Sequence, residues 1–269
     1  MAAVAPHPAM RTAVHYLPIL TTLVSIVFGT VLYRRWREKP GARYLFWWFV
    51  GVAMFGVGTF TEAATTLLGW NLPTFKAWYI SGALLGGAPL AQGTVHLLTS
   101  ATTARRLDWA LVGYVAFASV FVLLSPVDLS LVEPHRLSGK VLAWQWVRLF
   151  SPFVNLYAVA FLIGGAIWSA VTYWREEGTW LARRAIGNVF IAVGAILPGI
   201  GGSAARMDHV EVLYITELSG LILIWIGYAV IVRASSASIH AAQRRAAASA
   251  GSAPSGPASA PGRGAPVAR

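Results

Sequence analysis

The sequence predicts an all-α integral membrane protein, a bundle of seven transmembrane helices with its N-terminus outside and its C-terminus in the cytoplasm. Three observations carry this reading. The 269 residues are 57% hydrophobic and 12% charged, against roughly 25% charged residues in an ordinary soluble domain, so lipid must cover most of the surface. Seven apolar runs approach the ~20 residues that a helix needs to cross ~30 Å of hydrocarbon. Lysine and arginine fall unevenly between those runs, and that unevenness fixes the orientation.

The runs are residues 15–33, 44–68, 77–99, 109–124, 147–174, 181–203 and 210–232. Helices are required because lipid cannot satisfy open backbone groups, and the alternation of a membrane barrel is absent. The fourth run is the shortest. The opening MAAVAPHPAMRTA lacks a basic n-region and cleavage site, so the first run is expected to stay as a helix. The stretches after spans one, three, five and seven hold fifteen of the 21 basic residues, and the other side holds six: Arg11, Lys76, Arg136, Lys140, Arg148 and Arg206. That asymmetry places the C-terminus inside, in a plasma membrane. Trp36, Trp70, Trp109, Trp144, Trp146, Trp174 and Trp180 lie near span ends, the depth that indole rings favour.

Three regions follow: a short outer segment over 1–13, the helical domain over 14–232, and a cytoplasmic tail over 233–269. The tail is Ala, Ser, Gly and Pro with scattered Arg, too poor in large apolar residues to offset the entropy of ordering, and is expected to be disordered. It is too short for a kinase or nucleotide-binding domain, so output passes through a cytoplasmic partner or through the membrane domain itself. The net charge of +11 marks topology rather than nucleic acid, because the basic residues are spread between apolar runs.

Cysteine is absent, which removes disulfides, thiolate metal sites, iron–sulfur clusters and cysteine nucleophiles. Haem held by two histidines is disfavoured, since His96, near the cytoplasmic end of span three, has no second embedded histidine to pair with. The lysines are Lys39, Lys76 and Lys140, all expected outside the helices. A retinal Schiff base, which needs an amine within the bundle, is therefore excluded on that placement of the spans. No metal site is expected, and no catalytic residue stands out.

An ionisable group in hydrocarbon is costly and marks a functional candidate. Span two carries Glu62 and span seven carries Glu217, each in its outer third. Gly51, Phe55, Gly58 and Glu62 share one helical stripe, as do Glu217, Gly220, Ile224 and Gly227. Small residues mark the side on which membrane helices approach, so both acids should face the interior. Asn155 and Tyr157 in span five reach similar depth, Tyr214 precedes Glu217 by one turn, and Arg148 stands at the outer boundary. Together these residues predict an outward-opening polar cavity between spans two, five, six and seven, binding a proton, cation or amine. The competing reading makes each glutamate a structural, hydrogen-bonded group. His96 and Gln92 in span three are candidates for a relay toward the cytoplasmic side.

The stretches RRWREKPGARYLFWWFVGVAMFGVGTFTEA, FKAWYISGALLGGAPLAQGTVHLLT and RRLDWALVGYVAFASVF resemble, in layout, the seven-helix N-terminal sensor region of certain bacterial histidine kinases. The likeness covers mainly residues 34–125. It implies sensing in the outer or intramembrane half and carries over no catalytic residue. Sensor or ligand-binding protein is the leading expectation. A small transporter coupled to protons or cations is the second, and a structural or pigment-associated subunit of a membrane complex is the third.

Overall fold

A computed structural model describes residues 13–176 and 178–251. Among them, six helices are long and apolar enough to cross a membrane: Ala13–Glu38, Arg43–Leu68, Ala101–Leu124, Gln145–Arg175, Trp180–Arg206 and Val210–Ala237. We label the helices α1 (Leu17–Glu38), α2 (Arg43–Leu68), α3 (Leu72–Trp78), α4 (Ala88–Leu98), α5 (Ala101–Leu124), α6 (Phe150–Ala158), α7 (Gly164–Arg175), α8 (Thr179–Arg206) and α9 (Val210–Gly251).

The expected third span, residues 77–99, is the one that differs. It is broken rather than continuous: α3 passes into a π-helical turn over Tyr79–Leu84, the chain turns at Gly86 and Gly87, and α4 starts afresh. Gly86 sits at φ +47, a left-handed conformation that costs a side-chain-bearing residue energy. Pro89 follows in the first turn of α4, where its missing N–H does no harm. The start of α3 is set by Asn71, whose side chain accepts from the Thr74 N–H at 2.9 Å. From Ala88 to Val95 every residue of α4 is buried, enclosed between α2, α5, α6 and α7.

Three further expectations shift. The fourth helix starts at Ala101 rather than 109, capped by Ser100, so Arg105, Arg106 and Asp108 lie inside α5 and not in a connection. Lys76 lies inside α3, not outside the helices. It is 7% exposed, and its ammonium donates to the carbonyls of Val122 at 2.6 Å and Ser125 at 2.7 Å. A cation there satisfies the free carbonyls at the C-terminal end of α5. The last helix continues past Val232 to Gly251, so the tail expected from 233 starts helical, and residues 252–269 lie outside the described residues.

The contacts sort the helix ends. Trp70 N–H donates to the Pro134 carbonyl at 2.8 Å, Arg136 bonds Asp208 at 3.1 Å and the Ala205 carbonyl at 2.6 Å, and His15 lies 3.8 Å from Glu211. One end of the bundle therefore gathers the connection between α5 and α6, the turn between α8 and α9, and the start of α1. At the opposite end Arg184 donates to Ser235 Oγ at 2.7 Å.

The closest helix seam joins α8 to α9, and glycines permit it. A Cβ on Gly194 would stand 2.6 Å from the Gly220 carbonyl, and one on Gly220 equally close to the Gly194 carbonyl. Gly187 meets Gly227 one heptad away in the same manner. This seam sets the rotation of α9 and so the direction of Glu217.

Candidate functional site

Glu62 is held by the buried face of α2, which includes Gly51, Gly58, Thr59, Thr65 and Thr66. At Gly58 the helix comes so near the π-helical turn that a Cβ would stand 3.4 Å from Gly82 Cα. That approach brings Trp78, the last residue of α3, to Glu62: its indole N–H donates to Glu62 Oε1 at 2.9 Å. Glu62 is 6% exposed.

Glu217 projects from α9, and the two carboxyl groups face each other. Glu62 Oε2 and Glu217 Oε2 are both enclosed and receive no donor from another residue, while each carboxyl group lies within hydrogen-bonding reach of the other. Tyr214, one turn earlier on α9, is 4% exposed, lies in the field of both acids, and turns its ring edge to His15 at 6.2 Å. Two like charges side by side away from water repel strongly, and an enclosed carboxylate oxygen without a donor is costly. A proton or small cation held between the two carboxyl groups relieves both penalties at once. Glu62, Glu217 and Tyr214 are thus brought together as a unit, with Trp78 as an unforeseen fourth member.

The remaining sequence candidates go elsewhere. Arg148 lies in a 3-10 turn over Gln145–Leu149 and bonds Gln145 Oε1 at 2.7 Å. Asn155 is exposed, and its Oδ1 abuts the chain turn, 2.9 Å from where a Cβ on Gly86 would stand. Tyr157 belongs to a second polar group. Its hydroxyl donates to Gln92 Oε1, Gln92 Nε2 donates to the Ala104 carbonyl at 3.0 Å and to Asp108 Oδ1, and His96 Nε2 lies 2.9 and 3.1 Å from the Asp108 oxygens. This group ties α4, α5 and α6 together near the beginning of α5. The single cavity drawn from the sequence therefore resolves into two separate polar groups.

A groove of about 490 Å³ runs between α1 and α2, lined by Thr22, Ser25, Gly29, Tyr33, Gly56 and Phe60. It is apolar and open, and it does not contain the carboxyl pair. Among the described residues no group of three or more His, Asp or Glu side chains converges as a metal site.

No known family model matches this chain, and no curated protein or solved structure is significantly similar to it. The functional reading rests on the residues alone.

Trp78, Lys76 and Asp108 are the members that sequence reasoning missed. Trp78 has no signal of its own, since indoles recur throughout the chain. Asp108 has only a weak one: an acid directly after Arg105, Arg106 and Leu107 is explained by the basic boundary, and only the earlier start of α5 places it within the helix, against Gln92 and His96.

Proposed function

We propose that the chain is a seven-crossing sensor or ligand-binding protein of the plasma membrane, with its N-terminus outside and its C-terminus in the cytoplasm. Its ligand site is the carboxyl pair of Glu62 and Glu217, and the ligand is a proton or a small cation, protonated amines included. The broken segment from Leu72 to Leu98 makes the seventh crossing. The observation that carries this reading is the enclosed pair of facing carboxyl groups, with no donor from another residue on either Oε2, because two carboxyl groups this close and away from water coexist only by sharing a proton or a cation. Ligand binding alters the charge between α2 and α9, and α9 continues beyond the bilayer to a cytoplasmic partner. The layout likeness to histidine-kinase sensor regions supports the same role.

A second reading, a small transporter coupled to protons or cations, is favoured by the break at Gly86 and Gly87. Interrupted helices beside buried polar groups are the usual construction of secondary transporters. Unequal placement of the two polar groups along the bundle supports it as well.

The test uses the full chain in lipid nanodiscs. Thermal unfolding is followed as pH is varied, and as sodium, potassium, methylammonium or choline chloride is exchanged at constant ionic strength. The reading expects stabilisation by protons or by one of the small cations over choline, and its loss in the Glu62→Gln/Glu217→Gln double variant. A double variant that responds as the wild type does removes the carboxyl pair from any ligand role. Cation-driven uptake into proteoliposomes would select the transporter.

A further inference from the structure

The second polar group has a property the first does not: its hydrogen bonds determine where nearly every proton sits. Gln92 is 0% exposed. Its Nε2 is committed to the Ala104 carbonyl at 3.0 Å and to Asp108 Oδ1, so its Oε1 faces the Tyr157 hydroxyl, which donates to it. Asp108 then receives an N–H from Gln92, and both its oxygens lie within 3.1 Å of His96 Nε2. With Asp108 ionised, the carboxylate accepts from both neighbours and His96 Nε2 carries the hydrogen between them. One position remains that can gain or lose a proton without breaking a bond, namely His96 Nδ1.

We propose that His96 and Asp108 form a proton-binding site, distinct from the carboxyl pair, which governs how firmly α4 is seated on α5. It stands independently of the carboxyl-pair reading. The His96 and Asp108 side chains are 7% and 16% exposed, so the charges they carry are little screened. His96 occupies the last turn of α4, where the free carbonyls favour a cation. With a proton on Nδ1 the contact is an ion pair reinforced by hydrogen bonds; without it, a neutral imidazole donates to a carboxylate. The groups facing the pair are Gln92 from α4 itself and Tyr157 from α6, whose hydroxyl lies in the field of Asp108. On α5, Arg105 and Arg106 precede Asp108 by one turn and are exposed. Against the other faces of α4 lie the Tyr44 carbonyl and the Trp48 ring of α2, at Gly93, and Gly165 of α7, at Thr94 and Leu98.

The location gives the proton something to move. α4 is separated from α3 by the turn at Gly86 and Gly87, so it can loosen from α5 while α3 stays pinned by Lys76. Protonation of His96 locks this half of the broken segment, and deprotonation releases it.

The experiment uses the full chain in nanodiscs and two readouts. In ¹⁵N spectra of histidine-labelled protein, the signal absent from His96→Gln should show Nε2 protonated throughout and Nδ1 gaining a proton as pH is lowered across the interval in which the protein stays folded. Over the same interval, amide exchange in α4 should slow about fivefold, the difference between a neutral and a charge-assisted bond. That slowing should be absent from both His96→Gln and Asp108→Asn. An Nδ1 that does not titrate in this interval overturns the proposal, and so does a slowing of α4 exchange that persists in either variant.

Discussion

The indole N–H of Trp78 donates to Glu62 Oε1 across 2.9 Å, joining the single acid of α2 to the last residue before the π-helical turn. The bond occupies Oε1 and leaves Oε2 without a donor. Removing the donor as Trp78→Phe leaves a buried acceptor unpaired and should cost about 1–3 kcal/mol of stability. Glu62→Gln keeps an acceptor for the same N–H and should cost less. Thermal unfolding in nanodiscs ranks the two variants, and the reverse order would mean that Trp78 acts through its ring alone.

Lys76 makes a second prediction at the neighbouring turn. Its ammonium is the donor for the Val122 and Ser125 carbonyls at the end of α5. Lys76→Met keeps the chain length and removes that donor. It should destabilise by about 1–3 kcal/mol and speed amide exchange selectively in the last turn of α5. Exchange unchanged there would show that other groups satisfy those carbonyls.

Glycine positions separate close packing from mere flexibility. A Cβ on Gly93 would stand 2.9 Å from the Tyr44 carbonyl oxygen and collide with the Trp48 ring, whereas one on Gly113 meets nothing within 4 Å. Gly93→Ala should therefore cost about 1–3 kcal/mol through overpacking. Gly113→Ala should be neutral or stabilise by up to about 1 kcal/mol, through helix propensity. Equal effects from the two would contradict the packing of α4 on α2.

Asp128 gives a pH dependence outside the membrane spans. The hydroxyl and backbone N–H of Ser130 hold its carboxyl below the ordinary value. A depressed acid adds stability that is present above its unfolded value and lost as pH falls through the folded one. Ser130→Ala should raise the Asp128 titration toward the ordinary range. A two-dimensional NMR titration of the carboxyl carbon reads the change, and an unmoved midpoint would show that Ser130 does not set it.

Much of this was legible in the sequence. The stripe from Gly51 to Glu62 falls on the buried side of α2, because helical period and small residues together define a packing face. Less legible was the interruption within residues 77–99, since glycine and proline are common in membrane helices and hydropathy does not register a change of φ. The sequence alone puts Lys76 outside the helices, because its carbonyl partners lie 46 and 49 positions later in the chain. Tyr157 was grouped with Asn155 by depth. Two residues along a helix turn a side chain by about 200°, and that rotation sends Tyr157 to Gln92 instead.

The central claim is that Glu62 and Glu217 share an exchangeable proton or cation within the bundle. Infrared difference spectroscopy of the full chain between acid and neutral pH tests it most directly, through the carbonyl stretch of protonated carboxylic acid. The predicted result is a buried-acid band that changes with pH or with the bound cation and is lost or shifted in both Glu62→Gln and Glu217→Gln. A spectrum without such a band, or one that keeps it unaltered in both variants, would contradict the claim.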